Sequence, residues 1–267
     1  MNERRTLEST LAHSTLTGAG DKYEYNPTAV MPDVKVVKIG GQSVLDRGRA
    51  ALFPILDEIV EARRKYGIQV VLLAGGGTRA RHIYSIASEL EVPTGVVATL
   101  GKYIPMQNAR MLQMLLAKHG GLYILPDDFE KLPLYMQMGC IQIMSGMPPF
   151  GYWEKREEGS RIPPHRTDAG VFLSAEFLGS RRAIFIKDEH GLYTDDPKKN
   201  PSATHIPRIT AKELEARGLP DLVVERVVVE YLPRAQWCKE LQIVNGLVPG
   251  QVLAALRGED VGTIITA

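Results

Sequence analysis

The stretch VKVVKIGG at residues 34–41 decides the fold of this chain, because it is a short apolar run rich in β-branched residues that stops at two glycines. The same pattern recurs as QVVLLAGGG at residues 69–77. Between them, residues 49–66 carry apolar side chains at the three- and four-residue spacing of an amphipathic helix. A strand, a helix and a second strand, each strand closed by glycines, are typical of a parallel β-sheet covered by helices.

This alternation continues to the end of the chain. Apolar periodicity predicts further helices over residues 79–89, 107–118, 169–178, 211–216 and 234–240. It predicts further strands over residues 122–125, 140–144, 182–187, 242–245 and 263–266. The charged segment 150–164, including residues 154–158, is predicted to be a solvated loop. We therefore expect a three-layer α/β/α sandwich with a mainly parallel central sheet.

Two parts of different character divide the chain. Residues 1–31 are polar, lack periodicity and end before Pro32, so we interpret them as an N-terminal extension. Such a segment is either disordered or an arm that packs on a neighbouring subunit. Residues 32–267 are predicted to form a single α/β domain.

Composition excludes several classes of protein. The 267 residues carry a formal net charge of +1 and no long basic run, so neither nucleic acid nor a membrane surface is expected as a partner. No apolar run approaches the roughly 18 residues of a transmembrane helix. Cys140 and Cys238 lack the spacing of metal ligands, which favours free thiols in the reducing cytoplasm.

The glycine turns predict a site for a phosphate or another oxoanion. Adjacent glycines between a strand and a helix expose backbone N–H groups beside the positive end of the helix dipole. Lys38 precedes the first turn, and Arg79 and Arg81 follow the second, so cationic side chains accompany both. Each turn by itself is also compatible with a simple tight connection. The residues predicted to contact the anion are Gly40, Gly41, Gly75, Gly76, Gly77 and Arg79.

Two further stretches place charged residues near the same ligand. In PPHRTDAG at residues 163–170, Thr167 or Asp168 suits a helix cap or a ligand contact. In IFIKDEHGLYTDDP at residues 184–197, an apolar strand ends in Lys187 and Asp188. Charged residues at the carboxyl end of a strand lie where ligands bind in open α/β sheets.

Taken together, these motifs resemble the amino acid kinase family. The resemblance rests on KIGG at 38–41, GGG at 75–77, RTDA at 166–169 and DEHGLYTDDP at 188–197, in the family's order. NGLVPG at 245–250, RGE at 257–259 and GTII at 262–265 extend it, and the end of the chain is similar to bacterial uridylate kinase. The resemblance to the amino acid kinase family covers residues 34–267, and it implies an amino acid kinase fold that binds ATP with Mg²⁺.

The resemblance also implies roles for individual residues. Lys38 matches the lysine that neutralises the transferring phosphate, and Lys187 and Asp188 are assigned with it to the catalytic group. Asp188 falls where acetylglutamate kinases keep an aspartate that orients their lysines. Tyr193, Asp196 and Pro197 match the segment around the adenine and ribose. Phosphoryl transfer asks mainly for positioning and charge neutralisation, which suits this set.

The acceptor side departs from the uridylate kinases. Met106 stands where we align their aspartate, and GSRIPPHR at 159–166 replaces their glycine-rich segment. IGGQSV at 39–44, TRARH at 78–82, LLAKHG at 115–120 and SGMPP at 145–149 are instead similar to the molybdenum storage proteins, especially their β subunits. The histidine-rich stretch of the α subunits after the two prolines is missing, since FGYW stands at 150–153.

The second resemblance implies storage of molybdate or tungstate as polynuclear oxide clusters. Storage would take place in a closed cage of six subunits, and ATP hydrolysis would drive the loading of metal. The six subunits would be either identical or paired with an α-like partner. Gln107, His119 and His165 are the candidate contacts to the metal clusters, although each also suits a purely structural role. Met106, Met111 and Met114 are expected to fill the core or an interface.

Two other functions remain open from the sequence. One is a uridylate kinase-like phosphotransferase with a small acceptor, and the other is a nucleotide-gated regulator that binds an oxoanion without turnover. Their products separate the three, because a kinase yields a phosphorylated product, a store yields ADP, phosphate and retained metal, and a sensor yields neither.

Overall fold

The protein is described by a computed structural model over residues 27–219 and 222–267, so most of the predicted extension lies outside the described residues. The strands are β1 (Lys35–Ile39), β2 (Val70–Ala74), β3 (Gly121–Tyr123), β4 (Ile141–Ser145), β5 (Arg182–Lys187), β6 (Leu192–Tyr193), β7 (His205–Ile206), β8 (Arg208–Thr210), β9 (Glu240–Asn245) and β10 (Thr263–Thr266). The α-helices are α1 (Arg49–Tyr66), α2 (Gly77–Glu89), α3 (Thr94–Leu116), α4 (Leu132–Gln137), α5 (Thr167–Leu178), α6 (Ala211–Arg217), α7 (Arg226–Tyr231) and α8 (Gln251–Leu256).

Eight of these strands form one sheet in the order β3-β4-β2-β1-β5-β9-β10-β8. All neighbours run parallel except β9 and β10, which pair antiparallel. Strands β6 and β7 form a separate antiparallel hairpin. The mainly parallel sheet expected from the sequence is therefore confirmed. Its central strands β1, β2 and β5 end at the same edge, and they deliver both glycine turns and the charged segment after Ile186 to one place.

Each face of the sheet carries its own hydrophobic core, which makes the architecture three-layered. On one face, β-strand residues pack with α1, α3 and α8, through side chains such as Ile55, Leu112 and Val252. On the other face they pack with α4, α5, α6 and α7. Strand β2 is buried at all five positions. Because helices cover both faces of the sheet, its sequence is a continuous apolar run instead of an alternation of apolar and polar residues.

Helix α3 begins thirteen residues before the helix predicted over 107–118. The sequence misleads here because Gly95, Gly101 and Pro105 all lie inside the helix, where they normally act as breakers. The two glycines serve close packing instead. An added Cβ on Gly95 would lie 2.3 Å from the carbonyl oxygen of Tyr152, and one on Gly101 would lie 2.2 Å from the ring of Tyr84.

The helix predicted over residues 234–240 is wrong. A short 3₁₀ turn ends at Arg234, and strand β9 begins at Glu240. The carboxylate of Glu176 accepts the backbone N–H groups of Gln236, Trp237 and Cys238 at 2.6–2.9 Å, so these groups are not free for helical hydrogen bonds.

The 150–164 segment is not wholly solvated either, because Glu154 is buried and bonds to the ring of His165. At the start of the described residues, the N–H of Met31 donates to the carbonyl of Leu178 at 2.6 Å. The last residues of the predicted extension therefore pack on their own chain. The division at residues 31 and 32 remains a prediction.

Candidate functional site

The two glycine turns touch each other at the carboxyl edge of the sheet. An added Cβ on Gly41 would lie 2.0 Å from the backbone nitrogen of Gly77. One on Gly75 would lie 2.6 Å from the nitrogen of Gly41. Real Cβ atoms do not approach so closely, so glycine is required at both positions for the turns to meet. Gly77 also adopts a left-handed φ of +73° as it opens helix α2.

Two side chains that the sequence did not single out hold the second turn in place. The fully buried Asn108, on α3, donates its amide to the carbonyl of Gly75 at 2.6 Å and accepts a hydrogen bond from Arg79. Asp46 accepts the N–H of Thr78 at 2.7 Å, which ties the first turn to the beginning of α2. These hydrogen bonds fix the backbone of the second turn. The N–H groups of Gly40 and Gly75 donate to the carbonyls of Ile186 and Ile39, so those two glycines offer no free backbone donor to a ligand.

Lys38, Lys187 and Asp168 form the charged centre of the site. Asp168 lies in the first turn of α5, and its carboxylate pairs directly with the Lys38 ammonium. The Lys187 ammonium lies 3.7 Å from the same carboxylate oxygen. Lys38 and Asp168 are buried, whereas the side chain of Lys187 is 18% exposed. These three side chains alone carry a net charge of +1, and Arg166, 3.7 Å from the neighbouring Glu225, balances that second carboxylate. A positive charge is therefore left for an anionic ligand.

The pKa values of this centre follow from burial and mutual charge. Burial alone would raise the pKa of the Asp168 carboxyl, but the charges of Lys187 and Lys38 outweigh it and hold the pKa at about 2. Burial lowers the pKa of the Lys187 ammonium, although the charge of Asp168 opposes this. The Asp168 carboxylate therefore stays ionised at neutral pH and keeps both ammonium groups in place.

Glu225 completes this centre, and the sequence analysis did not find it. Its carboxylate accepts the N–H groups of Arg166, Asp168 and Ala169, each at 3.0 Å, at the beginning of α5. Its own N–H donates to the second carboxylate oxygen of Asp168 at 3.0 Å. Burial and the charge of Asp168 raise the pKa of the Glu225 carboxyl. An acidic residue after the apolar Leu222-Val223-Val224 was the one sequence signal that pointed to it.

The role predicted for Asp188 is taken by Asp168. Asp188 was expected to orient the lysines, yet its carboxylate pairs with Arg47 and lies 3.7 Å from the Lys198 ammonium. The reason is its position one residue beyond β5, where its side chain reaches the rim of the site instead of its centre. The aspartate between the lysines comes from the beginning of α5.

The space in front of these groups is a cleft of about 1300 Å³. Its lining joins the glycine turns and the charged centre to a second wall formed by α2, α3 and the loop before α5. The residues of that second wall include Arg81, Tyr84, Ser85, Ser88, Glu89, Gly101, Pro105, Met147 and Arg166.

Residues 33–226 match the sequence profile of the amino acid kinase family. The chain belongs to this family. It is 50% identical over 238 residues to molybdenum storage protein subunit beta of Azotobacter vinelandii, covering 89% of this chain and 87% of that protein. It is 32% identical over 146 residues to the uridylate kinase of Pyrococcus abyssi, covering 55% of this chain and 58% of that protein. Among solved structures, it is similar to the uridylate kinase of Archaeoglobus fulgidus, with 26% identity, a TM-score of 0.60, and coverage of 87% of this chain and 100% of that one.

The nucleotide residues predicted beyond the glycine turns are only partly at the cleft of this amino acid kinase fold. Tyr193 lies in the β6–β7 hairpin with its ring centroid 5.4 Å from that of His205. Asp196 accepts the N–H of Lys198 at 2.9 Å. Neither these two residues nor Pro197 belongs to the cleft lining, whereas Lys198 does. Arg79 donates a hydrogen bond to Asn108 and does not line the cleft, whereas Arg81 does line it.

The structure does not bring the three candidate metal ligands together. Gln107 is exposed on α3 and accepts a hydrogen bond from Arg79 at 3.4 Å. His119 lies against Arg64, and slight burial together with that cation lowers the pKa of its ring. Both ring nitrogens of His165 have partners, Glu154 and Tyr231, so ligation there would break a hydrogen bond.

Within residues 27–219 and 222–267, no group of three histidine, cysteine or acidic side chains has the geometry to hold a metal ion. None of the helices in these segments is both long and apolar enough to cross a membrane.

Proposed function

We propose that this chain is a subunit of an ATP-dependent store for molybdate or tungstate. The observation that carries the proposal is the 50% identity to a molybdenum storage subunit along most of both chains. The candidate phosphate site supports it, because the two glycine turns lie in contact with each other and both lysines lie beside the Asp168 carboxylate. Accumulated polynuclear oxide clusters inside a closed oligomer would be the stored form.

The site supports ATP hydrolysis by charge neutralisation. The Lys38 and Lys187 ammonium groups would face the phosphoryl oxygens, whose charge shifts as the bond between the β- and γ-phosphates breaks. Water supplies the oxygen of the new bond, and ADP, phosphate and a proton leave. Asp168 holds the two lysines, and Glu225 holds Asp168 through its backbone N–H, without either entering the reaction.

Mg²⁺ fits as a companion of the ATP phosphates. It usually keeps several waters and takes one or two carboxylates together with phosphate oxygens. Asp168 is buried between two lysines, whereas Asp188 and Glu189 lie at the rim of the cleft, where they pair with the more exposed Arg47 and Lys198. Their carboxylates would have to exchange these partners to hold such an ion. When bound, Mg²⁺ would neutralise further phosphate charge.

A phosphotransferase acting on a small acceptor is the second candidate function, favoured by the similarity to archaeal uridylate kinases. The sequence argument against it rested on Met106 and on the replaced segment 159–166. Met106 does not line the cleft, so that part of the argument no longer holds, whereas residues 159–162 and Arg166 do line it. Together with the second wall around Tyr84, the replaced segment defines the acceptor side.

Product analysis separates the two candidates. Purified protein is incubated with ATP and Mg²⁺, with UMP or molybdate added in turn, and the nucleotides are resolved by chromatography. We expect slow release of ADP and phosphate, and no UDP. Formation of UDP at an ordinary enzymatic rate, on the order of 10 per second, would favour the phosphotransferase.

We further propose that the chain forms a closed hexamer, with itself or with an α-like subunit. An exposed apolar stripe on α3 supports the proposal: Leu100, Tyr103, Met111 and Met114 recur at spacings that place them along one side of the helix. Met111 and Met114 are therefore not core residues, and the interface alternative remains. Cys140 and Cys238 are both free thiols, which suits the proposed cytoplasmic location.

Charge on this stripe is expected to weaken the oligomer. Met114→Glu would place a carboxylate in an apolar contact, so light scattering should show a lower molar mass than for the wild type. Met138→Glu is the matched control, because Met138 is equally exposed, at 70%, but lies beyond α4. If Met114→Glu keeps the full oligomer at micromolar concentration, the α3 stripe is not the interface.

A further inference from the structure

The second wall of the cleft contains a buried hydroxyl with a poor partner. Tyr84 is 7% exposed, and its ring packs beneath Gly101. Among the described residues, its hydroxyl bonds only to the thioether of Met147, at 3.8 Å. A thioether is a weak acceptor, so the strong O–H donor of this tyrosine is left nearly unsatisfied. Buried hydroxyls are rarely left in this condition, which points to a missing partner in the cleft.

The position and charge state of this hydroxyl are defined. Burial raises the pKa of Tyr84 to about 12, with the charge of Arg166 acting in the opposite direction. The hydroxyl is therefore neutral and able to donate at physiological pH. Its partner Met147 follows Gly146, where an added Cβ would lie 3.1 Å from the Cβ of Thr167, so the hydroxyl lies near the beginning of α5.

A second hydroxyl lies one helical turn further along α2. Ser88 follows Tyr84 by four residues and therefore shares its side of the helix. Its Oγ is buried and has no hydrogen-bond partner in the part of the chain that the structure describes. Both residues line the cleft. Two hydroxyls without a strong acceptor therefore lie on the same wall of the cleft.

Cations flank these hydroxyls. The guanidinium of Arg166 donates to the carbonyl of Pro163 at 3.3 Å and lies 3.7 Å from Glu225, which leaves further N–H groups for a ligand. Arg81 is exposed on the same wall one turn before Tyr84. Glu89 is the one acidic residue of α2, and it also lines this wall of the cleft. Donors and cations therefore dominate, and they favour a small anion with several acceptor oxygens.

The size of the cleft leaves room for such an anion beside a nucleotide. Pockets for a single small molecule usually measure about 300–1,000 Å³. The cleft of about 1300 Å³ exceeds that range, and the glycine turns with the charged centre occupy only one side of it. An anion bound to the second wall of the cleft, which we call the Tyr84 wall, would lie close to the phosphoryl end of the nucleotide.

We propose that the Tyr84 wall is a binding site for a tetrahedral oxoanion, with molybdate or tungstate as its ligand. The hydroxyls of Tyr84 and Ser88 donate hydrogen bonds to the oxo groups, and Arg166 and Arg81 neutralise the charge. This assignment rests on the proposed storage function and adds the place where the anion enters. A phosphate group has the same tetrahedral shape, so the phosphate of a mononucleotide is the competing source of this chemistry.

The test compares Tyr84→Phe with Tyr66→Phe in an assay of ATP hydrolysis titrated with molybdate. Tyr66 supplies the matched control, because it is exposed at the end of α1, does not line the cleft and lies outside the α3 stripe. We expect the half-saturating molybdate concentration to rise about tenfold or more in Tyr84→Phe, the usual effect of losing a hydrogen bond to a charged group. Tyr66→Phe should stay within about twofold of the wild type, the scale of a substitution that removes no ligand contact.

Parallel titrations decide which ligand the wall binds and separate this assignment from the storage function. A shift with UMP but not with molybdate or tungstate would overturn the oxoanion assignment. The same holds if half-saturation for ATP rises in parallel with that for molybdate, because the whole cleft would then be disturbed. If the wild type responds to molybdate and Tyr84→Phe responds equally, the anion binds elsewhere and the storage proposal stands. A wild type that neither responds to molybdate nor retains it overturns both.

Discussion

Replacing Lys38 with methionine is expected to reduce ATP hydrolysis by about 100-fold or more. The Lys38 ammonium is buried near the end of β1, pairs with Asp168 and lines the cleft proposed to hold the phosphates. Removing one positioned donor to developing negative charge typically costs about 10²–10³ in kcat. Methionine keeps an unbranched chain of similar length, and Lys187 remains near Asp168 to compensate its charge. Phosphate release under saturating ATP measures the effect.

Lys35→Met is the matched control, since Lys35 begins the same strand five residues from the glycine turn and does not line the cleft. Its kcat should stay within about twofold of the wild type, as for substitutions outside a site. Thermal unfolding of both variants reports whether the buried pair also contributes to stability. If folded Lys38→Met hydrolyses ATP at the wild-type rate, the proposed phosphate site is wrong.

Gly41→Ala is expected to weaken ATP binding by about 100-fold or more, because the new methyl group would keep the two glycine turns apart. Its Cβ would lie 2.0 Å from the nitrogen and 2.5 Å from the Cα of Gly77. Both are backbone atoms that cannot rotate away, so the turn that opens α2 must move. Displacing several N–H donors from a phosphate loses more than one charge-assisted hydrogen bond, each typically about 1.5–3 kcal/mol. Calorimetric titration with a non-hydrolysable ATP analogue measures the change.

Gly67→Ala provides the control for glycine replacement. Gly67 follows α1 with a φ of +68°, and an added Cβ would meet nothing within 4 Å. Alanine there should lower the free energy of unfolding by about 1 kcal/mol, the usual penalty of the left-handed conformation. The affinity for the ATP analogue should not change. Equal affinities for Gly41→Ala and the wild type would mean that the nucleotide does not use the paired turns.

The sequence predicted the parts of the fold that depend on local pattern. The β1–α1–β2 unit at residues 35–74 and both glycine turns follow from apolar periodicity and adjacent glycines, and the structure confirms them. Local pattern failed where a distant side chain determines the backbone. Glu176 accepts the N–H groups of residues 236–238 and so keeps this segment out of a helix. Nothing in the local sequence of residues 234–240 indicates this distant contact.

The same limit applies to the site. Lys38 and the glycines were visible because they follow strands, but Asn108 and Glu225 act across 33 and 57 residues of chain. The resemblance gave Asp188 the role of orienting the lysines, whereas Asp168 was expected to cap a helix or contact the ligand. Only the three-dimensional structure shows that the beginning of α5 faces the end of β1, which gives the role to Asp168.

Metal retention tests the storage proposal most directly. The protein is purified from cells grown without added molybdate, incubated with molybdate in the presence or absence of ATP and Mg²⁺, passed through a desalting column, and analysed for metal by mass spectrometry. Lys38→Met runs in parallel. The proposal predicts that the wild type retains more than one molybdenum atom per chain only when ATP and Mg²⁺ are present, and that Lys38→Met retains far less. Equal metal content with and without ATP, or none in either case, would contradict it.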